Sequence, residues 1–158
     1  MADTHDNVNA VDRAVEIFNS SGVDHVLHAG DLVSPFVVAC FAKLKAKLHY
    51  VWGNNEGDKK TIEARMSELG LKPLGSFAVL RLNGKRIALL HGSGEELVDL
   101  CVNSGSFDLV VRGHTHRVDV KPGKTLCVNP GEVCGYLSGE RTVAIVDLDN
   151  MDVEIVKI

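Results

Sequence analysis

In the stretch DLVVRGHTHRV, residues 108–118, an apolar run ends at Gly113 and delivers His114 and His116. A strand continuing through them would send both imidazoles to one face, because side chains alternate with a period of two. Two charged imidazoles repel one another, whereas two neutral ones suit a shared cation. Similar words recur along the chain. Asp3 and His5 stand in DTH, Asp31 follows Gly30, Asn54 and Asn55 follow Gly53, and His91 precedes Gly92. The set Asp3, His5, Asp31, Asn54, His91, His114 and His116 offers oxygen and nitrogen donors and no thiolate. That argues against a structural zinc of the cysteine type. Seven donors are too many for one tetrahedral ion. They suit two divalent ions that share a carboxylate and leave room for water and substrate. Two such ions outweigh two aspartates, so the site would be positive and would favour an anionic phosphoryl group.

Each residue also has a plainer role open to it. Asp3 could cap the helix that follows, Asp31 could be a turn residue, and both asparagines tolerate left-handed backbone. The series decides for most of them: successive strand ends each deliver Asp, Asn or His beside a glycine. Asn55 alone is read as a turn former. His25, His28 and His49 lack the position after a strand and are read as structural or surface residues. Asn129-Pro130-Gly131 is read as a tight loop beside the site, its amide supporting the ligands. Arg112 and Arg117 flank GHTH and could assist with phosphate.

The elements that must position these residues follow from apolar periodicity. Val8, Val11, Val15 and Phe18 recur at helical spacing, with Gly22 as a stop. HVLHAG reads as a strand, SPFVVACFAKL as a helix capped by Ser34 with Pro35 at its first position, and LHYVWG as a strand. DKKTIEARMSELG is a helix ending at Gly70. SFAVLRL and KRIALLH form a hairpin around Asn83-Gly84. EELVDLCVNSG is a helix, and DLVVRG, TLCVNPG, RTVAIVDLD and DVEIVKI are strands. Strand–helix alternation followed by a run of strands predicts two packed sheets with helices outside. In such folds ligands gather beyond the carboxyl ends of the strands.

The chain has 158 residues, enough for one domain spanning 1–158 with a substantial core. No apolar run approaches the ~20 residues of a membrane span. No export signal precedes Asp3, so the expected location is cytoplasmic. The net charge of −4, without a Lys/Arg block, argues against a stable nucleic-acid partner. Cys40, Cys101, Cys127 and Cys134 form no CxxC pair and read as reduced, buried apolar residues.

DTH, GDLVS, GNNE, HG and GHTH, in this order, resemble the calcineurin-like metallophosphoesterase superfamily. DTHDN, YVWGNNEG and NPGEVCGYLSG are more closely similar to its small archaeal and bacterial phosphodiesterases of the YfcE/MJ0936 type. The resemblance implies a four-layer α/β/β/α sandwich of two mixed sheets. It implies two divalent ions (manganese, nickel, iron or zinc), with Asp3, His5 and His116 on one, Asn54, His91 and His114 on the other, and Asp31 between. The activity implied is hydrolysis of a small phosphodiester by a hydroxide between the ions, with Asp31, Asn54 and His114 closest to the chemistry. A phosphomonoesterase, or a non-catalytic scaffold such as the retromer subunit Vps29, is the competing reading; an oligomer is left open. The chain departs from the pattern twice. Asn55 stands where many relatives carry a proton-donating His. The family's apolar first strand is also missing, since Met1-Ala2 cannot form one. The expectation is a shortened sequence lacking roughly five residues, with Asp3 on a fraying terminus and a central sheet position empty.

Overall fold

The computed structural model describes all residues from Met1 to Ile158. Helix α1 spans Val8–Ser21. The Asn7 side chain accepts from the Ala10 amide at its start, and Gly22 closes it in left-handed backbone. Strand β1 (His25–His28) leads to a 3₁₀ segment over Pro35–Lys43, then β2 (Lys47–Tyr50) and α2 (Lys59–Glu68). β3 (Phe77–Leu82) and β4 (Lys85–Leu90) are joined by Asn83-Gly84, followed by α3 (Glu95–Asn103) and β5 (Leu109–Val111). β6 (Val118–Lys121), β7 (Leu126–Pro130), β8 (Thr142–Val146) and β9 (Val153–Lys157) complete the chain.

Five strands form one mixed sheet in the order β3-β4-β5-β7-β6, parallel through β4, β5 and β7. β1 and β2 pair in parallel, β8 and β9 antiparallel. Three apolar clusters separate the layers of the sandwich. In the first, α1, the 3₁₀ segment and α2 bring Val11, Phe18, Val38, Phe41, Ile62 and Met66 onto Val26, Leu48 and Tyr50. In the second, Ile87, Leu89, Leu109 and Val111 meet Ala29 and Val51 between the two β layers. In the third, Val98 and Cys101 of α3 cover Ala88, Leu90 and Val110 on the outer face. Alternation along β4 and β5 creates this division: odd positions face the inner layer and even positions face α3.

The structure departs from the sequence reading in three places. The segment after Ser34 is 3₁₀ and Ser34 does not cap it; Asp6 Oδ1 accepts from both the Ser34 amide (3.0 Å) and its hydroxyl (2.7 Å). β6 is an additional strand, antiparallel to β7. The amino terminus is buried rather than fraying, with Ala2 and Asp3 both at 0% exposure. The Met1 amino group donates to the Leu27 carbonyl at 2.9 Å, and the Ala29 amide donates to the Met1 carbonyl at 3.0 Å. On the other side the Val133 and Cys134 amides donate to the carbonyls of Ala2 and Asp3. Beyond Met1 this strand-like line gives way to an apolar groove of about 780 Å³ between β1 and β8.

Candidate metal centre

Asp3, His5, Asp31 and His116 each place a donor atom within 4.8 Å of the others. All four come from backbone just past a strand or strand-like run. Asp31 lies at the middle: Nε2 of His5 and Nε2 of His91 each sit 3.4 Å from its Oδ2. Nε2 of His116 is 3.4 Å from Asp3 Oδ1. His114 donates its amide to Asp3 Oδ2 at 3.0 Å, and its ring meets that of His91 edge-on at 5.1 Å. Six of the seven donors read from the sequence therefore converge. Asn54 is exposed; the amide that reaches Asp31 belongs to the next residue. Asn55 donates its backbone N–H to Asp31 Oδ1 at 2.8 Å and its Nδ2 to Oδ2 at 2.7 Å. Asn55 is thus more than the turn former expected of it.

The ligand atoms are held by a surrounding network. Nδ1 of His91 lies 2.7 Å from the Ala29 carbonyl, so its Nε2 faces the centre. Nδ1 of His116 is fixed in the same way by Glu132 Oε2 at 2.7 Å. Such contacts set the tautomer and ring orientation of a metal-ligating histidine. Glu132, fully buried, also accepts from Cys134 Sγ, from the amides of Tyr136, Leu137 and Ser138, and from the Ser138 hydroxyl. Glu56 holds the other loop, accepting from the Tyr50 hydroxyl and from the Gly53 amide at 3.0 Å. Asn129 supports the GHTH turn as expected, donating to the Gly113 carbonyl at 2.9 Å and to Thr115 Oγ1 at 3.0 Å. Arg112 is buried against Glu95 (2.6 Å) and the Gly92 carbonyl (3.1 Å), and so clamps two site loops together. His28 is buried and neutral beneath the site, its Nδ1 accepting from the Gly30 amide at 3.1 Å.

Two glycines permit this closeness. A side chain on Gly53 would run into the Asp31 carboxylate, and a Cβ on Gly113 would stand 2.7 Å from Asp3 Oδ2. Five candidate ligands adopt left-handed backbone: Asp3 (φ 52°), His5 (37°), Asp31 (58°), His114 (72°) and His116 (60°). That region is uncommon for residues other than glycine, and strain of this kind collects at functional sites.

Burial pushes the Asp3 carboxyl up to about 6. Burial would raise Asp31 too, but the His5 and His91 imidazoles beside it and the bonds from Asn55 outweigh it and hold its carboxyl far below the usual range. The Asp31 carboxylate beside it raises His5. At His91 burial opposes charge, but Asp31 prevails and raises it. Burial, then His91, lowers His114. Burial works against a charged Glu132, yet bonds from Cys134, His116 and Ser138 bring it down to about 2.

Three buried polar atoms in this cluster have no hydrogen-bond partner: Asp3 Oδ1, His5 Nε2 and His91 Nε2. Unsatisfied buried groups of this kind cost about 1–3 kcal/mol each. Here they are oxygen and imidazole nitrogen, close together and aimed at common points. A divalent cation satisfies such atoms, so the residues present fit the ions expected from the donor set.

Residues 1–151 match the family model of the calcineurin-like phosphoesterase superfamily domain. The chain belongs to that superfamily. Within the family, it is 34% identical over 154 residues to phosphodiesterase MJ0936 of Methanocaldococcus jannaschii, a match covering 96% of this chain and 93% of the relative. The solved structure of an archaeal phosphodiesterase superposes with a TM-score of 0.95 at 31% identity, over 100% of this chain and 97% of the other. Vps29 of Chaetomium thermophilum shares the fold alone, with a TM-score of 0.72 at 14% identity over 100% of this chain and 94% of the other. These matches carry the phosphoesterase family and its α/β sandwich, as the sequence motifs imply.

Three contributors escaped the sequence reading: Asn55, Glu56 and Glu132. Glu132 left a signal, because a lone carboxylate inside PGEVCG, otherwise small or apolar, must find partners if that run is buried.

Proposed function

We propose that this chain is a metal-dependent phosphodiesterase acting on small phosphodiesters at a centre of two divalent ions. The observation that carries the reading is the convergence of partnerless Asp3 Oδ1, His5 Nε2 and His91 Nε2 around the central Asp31 carboxylate. Asp3, His5 and His116 would hold one ion, and Asn54, His91 and His114 the other, with Asp31 shared. In this division of labour Asn55 fixes both oxygens of Asp31 while Asn54 remains free for an ion. Ions held there would supply Lewis-acid stabilisation of phosphoryl oxygens and a hydroxide nucleophile at neutral pH.

The chain's own residues set the geometry. Glu132 and the Ala29 carbonyl keep His116 and His91 turned inward. Asp31 stays ionised throughout the physiological range and anchors positive charge at the centre. His114, half-buried at the rim and held neutral by its surroundings, can donate a hydrogen bond to a phosphoryl oxygen. Asn55 is no acid, so the leaving group must take its proton elsewhere or be a good leaving group. The names of the archaeal relatives support a diester substrate. The scaffold reading draws on the fold likeness to Vps29 but leaves the intact donor set without a purpose. No helix is long and apolar enough to cross a membrane, and we place the enzyme in the cytoplasm.

The test is hydrolysis of bis(p-nitrophenyl) phosphate with manganese, nickel, iron or zinc added. Turnover should appear with at least one ion. Asp31→Asn and His116→Ala, still folded by circular dichroism, should each lose about 100-fold or more in kcat/KM. Absence of turnover with every ion refutes the proposal.

A further inference from the structure

The five-stranded sheet ends in two edges, β3 and β6. They differ in kind. β6 is four residues long and carries Asp119 and Lys121, paired with each other at 3.1 Å. A short, charged edge discourages another strand from adding to it. β3 is six residues long, holds no proline or lysine, and has Arg81 as its one charge. Phe77 and Val79 stand 38% and 45% exposed on its outer face, where the ring of Phe77 meets that of Phe107 edge-on at 6.4 Å. An apolar edge of this length is a template for a further strand.

The register fixes which backbone groups are open on β3. The Arg86 carbonyl accepts from the Asp108 amide at 2.8 Å, and the Arg86 amide donates to Asp108 Oδ2 at 2.7 Å. Both groups of Arg86 therefore face away from β3. Arg81, which stands opposite Arg86, belongs to a pair without mutual hydrogen bonds. Such pairs recur at every second residue, so Val79 and Phe77 share this setting. The N–H and C=O groups of Phe77, Val79 and Arg81 all point out from the edge, and no turn or loop of the chain takes them.

The geometry points to a second copy of this chain as the occupant: two β3 strands join edge to edge, antiparallel, with Val79 on the two-fold axis. In that register Val79 faces Val79 and Phe77 faces the second copy's Arg81, so every open N–H meets an open C=O. The neighbouring registers fail. Centring on Phe77 or Ala78 brings in Gly75, whose carbonyl the Trp52 amide already occupies. Centring on Leu80 sets Phe77 against Asn83 in the turn, and centring on Arg81 sets two guanidinium groups face to face. With Val79 at the centre, the side chains also match. The Arg81 guanidinium of each copy reaches the Phe77 ring of the other, the kind of contact Arg86 makes with Phe107 at 5.0 Å within the chain. On the inner face, half-buried Leu80 comes against Ala78. A contact of this symmetry uses the same patch on both copies and closes at two, giving one sheet continuous across the dimer.

Sedimentation equilibrium of the 158-residue chain should show monomer and dimer in exchange, with a Kd of about 10–100 μM. Val79→Pro removes an open N–H and spares the ladder to β4, so it should weaken association about tenfold or more with an unchanged circular dichroism spectrum. Val79→Lys, which puts two like charges on the axis, should do the same. Cysteine reports the register, because all four native cysteines are buried. Facing residues of a hydrogen-bonded pair have Cα atoms about 5.5 Å apart, within reach of a disulfide. Oxidised with diamide, Val79→Cys should crosslink to itself. Phe77→Cys and Arg81→Cys chains should crosslink when mixed and stay single when oxidised apart. A monomer at every concentration up to about 1 mM, association undiminished by Val79→Pro, or Phe77→Cys crosslinking alone as fast as Val79→Cys would each overturn the assignment.

Discussion

Replacing Glu132 by glutamine keeps the shape of the side chain and removes one acceptor oxygen. Oε2 takes His116 Nδ1 (2.7 Å), Cys134 Sγ (2.8 Å) and the Tyr136 amide (3.0 Å), while Oε1 takes the Leu137 amide (3.0 Å) and the Ser138 hydroxyl (2.7 Å). A glutamine that keeps its oxygen toward Ser138 turns an NH₂ toward His116, Cys134 and Tyr136. Three donors then face a donor in a buried place. At about 1 kcal/mol for each lost acceptor the loss is about 3 kcal/mol, within the range for breaking a buried charged contact. A domain stable by about 5–15 kcal/mol survives that loss. His116 also loses what fixes its tautomer, so affinity for manganese should fall about 10–100-fold. Urea unfolding followed by the single tryptophan, Trp52, gives the first quantity, and isothermal titration with manganese gives the second. A destabilisation below about 0.5 kcal/mol would refute the claim that Glu132 organises the loop. Unchanged manganese affinity would refute its hold on His116.

Burial pushes His28 down to about 3 from an ordinary value of 6.5. Between those values the unfolded chain binds a proton that the folded one does not, so stability is present above pH 6.5 and is lost on acidification. By pH 5 the loss should be about 2 kcal/mol, and His28→Gln should flatten that part of the urea-midpoint profile. Gly53→Ala should lower both Tm and turnover, because its methyl group competes with the Asp31 carboxylate for space; unchanged kinetics would show that the loop yields freely. Asn54→Ala should weaken metal binding directly, whereas Asn55→Ala should raise the Asp31 pKa and impair activity most at low pH; identical pH–rate profiles would erase the distinction drawn between them.

Much of this architecture was legible because local chemistry and global fold agree. Asn83-Gly84 marks a two-residue hairpin turn and adopts φ 46° and 76°. Gly22 closes α1 where the apolar spacing places its stop, while the cap at its start is Asn7 rather than Asp3. The donor positions could be read because each sits where an apolar run stops beside a small residue. What escaped has physical causes. β6 is only four residues long, and three of them are exposed, so neither burial nor length marks it. Ser34 gives its hydroxyl to Asp6, 28 positions earlier in the chain, instead of capping the segment that follows, and no local pattern reports that contact. Asn55 reaches Asp31 across 24 positions of chain, a contact that adjacent residue types do not report. The buried terminus depends on carbonyls and amides of Leu27, Ala29 and Val133, none of which carries a side-chain signal.

The left-handed backbone at Asp3, His5, Asp31, His114 and His116 sets fitness for work against endurance. Each such position would relax if glycine or asparagine stood there, by up to about 1 kcal/mol where the lost side chain leaves no hole. A laboratory selection for heat resistance that never scored turnover should therefore erode these residues early and yield hardier, inert descendants.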